Sequence, residues 1–296
     1  MTYLLRFQKL TSFLKGIKHI LSHVQCRGKW FSLMLKSIEN NSLKLSGVPL
    51  PGFPDKEIQT NTTGMSGPEA LCEAYIFHVN CMKVFSSSPA FVRKDRKLLD
   101  FGVGWGRILR FFMKDFEPDN LFGVDVNDEL LNICKATFQW GTFIKNNPLP
   151  PLDMPDQSID FIVGYSVFSH LSEGACREWI KEFSRILRPG GMVALTTRGR
   201  WFLDYCQSLK DREGYGNALS NLFDDFDRAK QRYDRGEFLH SNIEGVSGGG
   251  PLDESFYGET FIPEEYAKKM YCEYFNVLNY KYTMGRPSHP IMLFQK

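Results

Sequence analysis

Two sets of residues in this chain have the type and spacing to do chemistry on a bound ligand. The first is the run Leu98-Leu99-Asp100-Phe101-Gly102-Val103-Gly104-Trp105-Gly106-Arg107, where a short apolar stretch meets three glycines. Glycines at a strand-to-helix turn let the backbone turn tightly and approach a ligand closely. The second is a single acid, Asp125, 19 residues after Gly106. That is where an acceptor for ribose hydroxyls belongs in a nucleotide-binding α/β unit. The glycine spacing, G-x-G-x-G, differs from the G-x-G-x-x-G that seats a dinucleotide's pyrophosphate at a helix N-terminus, which disfavours an NAD oxidoreductase. Asp100, two residues ahead of the first glycine, would repel a phosphate. It suits a ligand carrying an ammonium or a sulfonium.

These residues need a scaffold, and the surrounding pattern supplies one. Short apolar strands are expected at 98–101, 121–124, near 142–145, at 159–163 and at 192–196, with helices at 107–112, 128–138 and 173–187 between them. The last of these helices should end at a turn, Arg188-Pro189-Gly190-Gly191. Strand–helix alternation at this rhythm argues for a parallel sheet covered on both faces. Residues 211–260 mix charges with a Gly248-Gly249-Gly250 run and read as an insertion. A helix at 264–272 and closing strands at 275–282 and 291–294 follow. Ahead of the alternation, 46–68 read as a linker or long loop. Ser66 and Pro68 mark the start of a helix that carries Leu71, Tyr75, Ile76, Val79 and Met82.

The chain has 296 residues, 43% hydrophobic and 24% charged, an ordinary globular composition with enough apolar mass for a core. Its net charge of +2 sums two unlike parts: +7 over residues 1–44 and −5 over the rest. A uniformly basic nucleic-acid binder is disfavoured for the body. No stretch approaches the roughly 20 apolar residues that span a bilayer, and charges at Arg6, Lys9, Lys15 and Lys18 interrupt any secretory apolar region. Seven scattered cysteines without a C-x-x-C pair argue for a reducing, cytoplasmic setting and against a zinc site. No His/Asp/Glu cluster suggests a metal. Residues 3–24 carry a helical apolar stripe, Tyr3, Phe7, Leu10, Leu14, Ile17, Leu21 and Val24, beside a basic face. Such a helix packs on its own domain or a second subunit, or lies on a membrane surface.

Taken together, the motifs resemble those of class I S-adenosylmethionine-dependent methyltransferases over roughly residues 97–200. Motif I corresponds to 99–106, and the acid after strand two to Asp125. The segment 149–160 resembles the family's lead into strand four, Tyr165-Ser166-Val167-Phe168-Ser169-His170-Leu171 its post-strand motif, and 187–191 its turn into strand five. The resemblance implies a Rossmann-like α/β fold, a seven-stranded mostly parallel sheet in the order 3-2-1-4-5-7-6, with an antiparallel final strand and a helical N-terminal extension. The implied organisation is a basic helical arm and linker over 1–68, then a methyltransferase domain over 69–296 with an insertion at about 211–262. The implied cofactor is S-adenosylmethionine. Gly102, Gly104 and Gly106 would cradle its methionine part, Asp100 would face the ammonium, and Asp125 would hold the ribose. Val126, Asn146 and Asn147 would lie by the adenine, and Tyr165 would border the cofactor.

For the transfer itself, an amine or hydroxyl acceptor must lose a proton, and His170 is the best candidate base. Where amine-modifying relatives carry Asn-Pro-Pro-Tyr or Asp-Pro-Pro-Tyr, this chain reads Gly164-Tyr165-Ser166-Val167, so an oxygen acceptor is expected. Short words around 61–67 and 256–266 are similar to bacterial methyltransferases of polysaccharide and glycan biosynthesis. That looser resemblance implies a sugar hydroxyl of a glycan or nucleotide sugar as acceptor. Glu259 would then act in catalysis, and Tyr257, Arg198 and Trp201 would line the acceptor pocket. The alternatives are a small natural product or lipid as acceptor, or a catalytically silent binding subunit. With a lipid-linked acceptor, the 1–44 arm would hold the enzyme peripherally at the anionic inner membrane face; the alternative for the same residues is homodimerisation.

Overall fold

The computed structural model describes residues 27–40, 43–45, 48–210, 213–246, 256–281 and 289–296. The amphipathic helix expected over 3–24 lies outside the described residues. The first helix, α1 (Arg27–Glu39), leads to a two-strand hairpin, β1 (Lys44–Leu45) and β2 (Val48–Pro49). Helices α2 (Lys56–Thr63) and α3 (Gly67–Phe85) follow. Then come β3 (Leu98–Phe101), α4 (Leu109–Phe112), β4 (Leu121–Asp125), α5 (Asp128–Thr137), β5 (Thr142–Lys145), β6 (Ile159–Gly164), α6 (Glu173–Ile186) and β7 (Leu187–Thr196). Helix α7 (Arg200–Gln207) leads into the insertion, which holds α8 (Tyr215–Ser220), α9 (Phe226–Asp234), β8 (Leu239–Ser241) and β9 (Glu259–Phe261). The chain closes with α10 (Glu264–Met270), β10 (Asn276–Lys281) and β11 (Ile291–Gln295).

The large sheet has seven strands, ordered β10-β11-β7-β6-β3-β4-β5. Numbered within this sheet, that is the expected 3-2-1-4-5-7-6. β3 to β7 are parallel, and β11 runs antiparallel between β7 and β10. β3 and β6 are buried along their whole length, as strands covered on both faces must be. On one face pack α1, α3, α4 and α5, around Phe77, Phe85, Phe111, Phe112 and Phe161. On the other pack α6 and α10, through Cys176, Trp179, Ile180, Phe183 and Ala267. The α6 stripe recurs at helical spacing, and Ser172 caps its first turn by accepting from Ala175 N.

Four details differ from the sequence reading, each for a local reason. Helix α4 begins at Leu109 rather than 107: Gly104 (φ +54°) and Gly106 (φ +80°) hold left-handed backbone, and the turn they belong to runs on through Ile108. The Arg188–Gly191 stretch is not a free turn. β7 starts at Leu187, and four residues, 188–191, oppose the single Asp160 between the pairs Ile159↔Leu187 and Phe161↔Met192. The bulge is pinned where Gly190 N donates to Lys296 O and Lys296 N to Gly191 O. Within the expected linker, Lys56–Thr63 is helical. It is too polar to show an apolar stripe, and it ends where Gly64 (φ +71°) donates back to Thr60 O. Ser66 stands at the start of α3 as expected, but the buried Gln59 satisfies the first N–H, Oε1 accepting from Gly67 N at 2.9 Å.

Residues 27–39 belong to the core as well. Trp30, Phe31 and Met34 are buried, Phe31 stacks on Tyr75 at 4.7 Å, and Trp30 Nε1 donates to Arg110 O. A truncation through residue 44 would therefore strip core side chains along with charge. Phe161 reports most directly on this face: it is fully buried, with the rings of Phe85, Phe91 and Phe116 within 4.7–6.3 Å. Phe161→Ala is expected to lower unfolding free energy by about 3–5 kcal/mol, read from the urea midpoint at unchanged slope.

Candidate functional site

The sheet order reverses direction around β3, which has β4 on one side and β6 on the other. The crevice beyond the C-terminal ends of these strands is where open α/β sheets bind ligands. Asp100 (β3), Asp125 (the end of β4), Asn146 (after β5), Tyr165 and Ser166 (after β6) and Arg198 (after β7) all fall at that edge.

The glycine turn is tied to β4. Gly102 N and Val103 N both donate to Val124 O at 2.9 Å. Gly104 N donates to Asp125 Oδ2 at 2.8 Å, and Asn127 N donates to Oδ1 at 2.9 Å. A Cβ on Gly104 would meet nothing within 4 Å, so its backbone faces open space that a ligand could enter. Gly106 has the opposite constraint. A Cβ there would lie 2.3 Å from Phe138 Cε2, so that position is glycine for close packing. Gly102 shares the left-handed conformation at φ +74°.

Asp100 is fully buried, and neither carboxylate oxygen has a hydrogen-bond partner among the described residues. Burial first, then the neighbouring Asp125 charge, pushes its carboxyl well above the usual range; the Arg107 charge and the nearby Leu109 backbone N–H only partly oppose this. Burial also raises Asp125, while N–H groups of Asn127, Gly104 and Val126 pull it back. The two bonds on Asp125 leave about half its acceptor positions open. Asn146 is buried, its N–H bound to Asp125 O and its Oδ1 unpartnered among the described residues. Asn147 is exposed and offers only its carbonyl, to Asn146 Nδ2. Val126 is half-buried beside Asp125. Tyr165 packs edge-on to Phe77 and lies under the Arg107 guanidinium at 4.9 Å. Arg107 in turn donates to Glu73 Oε2 at 2.7 Å.

A second cluster forms where the insertion docks, through bridges Leu171↔Tyr257 and Arg198↔Phe261. His170 Nδ1 lies 2.8 Å from Gly258 O. A carbonyl can only accept, so Nδ1 carries the proton and Nε2 keeps a lone pair. That Nε2 lies 3.5 Å from Ser166 Oγ. Tyr257 stacks on the imidazole, with centroids 5.0 Å apart and planes 7° from parallel. Burial lowers the His170 pKa and outweighs the opposing pull of Glu259, so the ring stays neutral near neutral pH.

Glu259 is fully buried and heavily engaged. Arg198 donates Nε to Oε2 at 2.7 Å and Nη2 to Oε1 at 3.3 Å, the Tyr215 hydroxyl donates to Oε1, and His170 Nδ1 is 3.5 Å from Oε1. Burial would raise the Glu259 carboxyl, but Arg198, His170 and Tyr215 together hold it below its usual range. Arg198 also donates Nη1 to His289 Nε2 at 2.7 Å. Trp201 is not brought into this network. It is 44% exposed on α7 and stacks on Tyr205. Arg107 follows directly on the glycine series, so its position was in view without a role attached. Tyr215 and His289 carry no motif, because only the folded insertion and the closing strand bring them to Arg198 and Glu259. Among the described residues, no three His, Cys, Asp or Glu side chains group as a metal site would.

A methyltransferase domain family model matches residues 98–191. An rRNA N(6)-adenosine-methyltransferase of Caenorhabditis elegans is 24% identical over 156 residues, covering 48% of this chain and 72% of that protein. A probable S-adenosylmethionine-dependent methyltransferase of Mycolicibacterium smegmatis is 37% identical over 108 residues, covering 36% of this chain and only 39% of the relative. Among solved structures, the PH0226 protein of Pyrococcus horikoshii OT3 superposes with TM-score 0.50 at 15% identity, over 82% of this chain and 99% of that one. A SAM-dependent methyltransferase of Leishmania major superposes with TM-score 0.52 at 13% identity, over 90% of this chain and 82% of that one. At such identities the structures speak to the fold alone.

The cofactor these matches imply is S-adenosylmethionine, and the residues present suit it: a buried unpaired carboxylate for a cation, a half-open acid for hydroxyls, and open backbone at Gly104. Asp125→Ala is expected to weaken S-adenosylmethionine binding about 10- to 100-fold by calorimetry, the loss of one or two charged hydrogen bonds.

Proposed function

We propose, from the premise that residues 98–191 form a class I S-adenosylmethionine-dependent methyltransferase domain, that this chain methylates an oxygen acceptor, with a sugar hydroxyl the preferred class. When bound, the cofactor supplies an electrophilic methyl group on a cationic sulfur. Asp100 would hold its ammonium, Asp125 its ribose hydroxyls, and Asn146 the adenine edge.

The observation that carries the reading is the state of His170. Its Nδ1–H is committed to Gly258 O and its Nε2 lone pair lies beside Ser166. A hydroxyl acceptor must give up its proton, and a neutral imidazole whose Nε2 lone pair meets only the long 3.5 Å contact from Ser166 Oγ can take it. Glu259 does not contact the acceptor in this reading. Its oxygens are held by Arg198 and Tyr215, so it acts through His170, stabilising the ring once protonated. Tyr257 fixes the imidazole plane and, with Arg198, borders the acceptor's space. The sugar preference leans on this aromatic wall and on the flanking sequence words. Trp201 would serve only an acceptor reaching the outer face of the insertion. The Caenorhabditis relative acts on an adenosine amine, but the Gly164–Val167 stretch lacks the Asn-Pro-Pro-Tyr type of sequence that amine acceptors favour.

Incubating the full chain with methyl-labelled cofactor and fractionated glycans, lipids, RNA and protein is expected to place label in glycans; label in RNA or protein alone would overturn the sugar reading. With the labelled fraction as substrate, His170→Gln should slow transfer at least about 100-fold at unchanged cofactor affinity. The rate should fall as pH drops through the His170 pKa, with the midpoint of that acid limb below the ordinary histidine value of 6.5.

A further inference from the structure

We propose that Tyr215, on helix α8 of the insertion, is a positioning residue that keeps His170 a neutral base at working pH, by quenching part of the Glu259 charge that would otherwise favour its protonation. The proposal rests on His170 being the base. The groups facing its imidazole are Glu259 and Gly258 from the β9 strand and its approach, Tyr257 stacked on it, Arg198 after β7, His240 on β8 and Ser166 after β6. Glu259 is the one carboxylate in this set, and alone it would favour a charged imidazolium. Its Oε1, the oxygen nearest His170 Nδ1, is also the oxygen that Tyr215 donates to. Arg198 covers the other oxygen at 2.7 Å and reaches Oε1 only at 3.3 Å. The tyrosine hydroxyl is therefore the main donor on the oxygen that the histidine senses.

The placement of Tyr215 fits such a role better than a packing one. Half of its surface is exposed, and helix α8 buries only Ala218 and Leu219. Its ring adds little to the core, while its hydroxyl reaches inward to a fully buried carboxylate. A charge-assisted hydrogen bond of this kind lowers the electron density that Glu259 can offer to a neighbouring proton. Removing it leaves the carboxylate fully charged towards His170 and raises the histidine's proton affinity. The insertion then does more than cover the crevice: its docking sets the proton affinity of the group after β6.

The test uses the full chain without acceptor. Histidine ring carbons are followed by NMR through a pH titration, and His170 is assigned by the resonance lost in His170→Gln. Tyr215→Phe should raise the His170 pKa by roughly half a unit. Site-specific 3-fluorotyrosine at 215, a stronger donor of the same shape, should lower it. Tyr205→Phe, an exposed ring on the adjacent helix, should leave it unchanged. An unmoved His170 in both Tyr215 variants would overturn the proposal, as would an equal shift in the Tyr205 control. Failure of His170→Gln to slow transfer would instead remove the base reading, whatever the titration gives.

Discussion

Asp100 lies in the central strand with both carboxylate oxygens buried and without a hydrogen-bond partner among the described residues, a constraint that the rest of the crevice is arranged around. A buried charge without a partner is strongly unfavourable, so the group either takes up a proton or waits for a cation. Its neighbours make the first option easier, since Asp125 adds a second negative charge and Arg107 is committed to Glu73. Three nearby backbone donors are turned elsewhere, Gly102 N and Val103 N to Val124 O and Gly104 N to Asp125, while the Leu109 N–H only partly offsets the cost of burying the charge. The left-handed glycines are what allow this routing, and Gly104 leaves open space where a side chain would otherwise stand. A ligand with a cationic group near a ribose satisfies both acids at once, and that is the cofactor class the matching family uses.

The second half of the site depends on Arg198. From the end of β7 it joins Glu259 of the insertion and His289 ahead of the last strand, linking three stretches distant in sequence. Its charge, held up by Glu259 despite burial, lets a carboxylate survive in the interior next to His170. Because His170 also bonds to the Gly258 backbone, the base and the insertion cannot be positioned independently. The insertion shares a small core with α7 around Phe202, Leu219, Phe226 and Phe261, so it can present β9 as a rigid edge.

The parallel sheet and its cofactor edge were legible in the sequence because each strand is a short apolar run and each acid stands at a strand end. Asp100, the glycines and Asp125 are separated by few residues, and local chain geometry nearly fixes their relation. Helix α2 was hidden by its polarity: its turn is held by threonine hydroxyls bonding back to carbonyls, not by an apolar face. The early end of the helix pattern at Arg107 was hidden by φ values that glycine permits but does not demand. Tyr215 and His289 were invisible for a different reason, since their roles exist only through contacts 44 and 91 residues away. Trp201 shows the converse: an aromatic close in sequence to Arg198 stands exposed on α7 and stacks on Tyr205.

The account turns on Asp100 being held for a cation, and proton linkage tests that most directly. S-adenosylmethionine is titrated calorimetrically into the full chain at neutral pH, in two buffers of different ionisation enthalpy, and the titration is repeated with Asp100→Asn. If the raised carboxyl gives up its proton to pair with the incoming ammonium, the wild-type heat differs between buffers in the sense of proton release. That difference disappears in Asp100→Asn, together with part of the affinity. Identical wild-type heats in both buffers, with Asp100→Asn binding as tightly, would contradict the account.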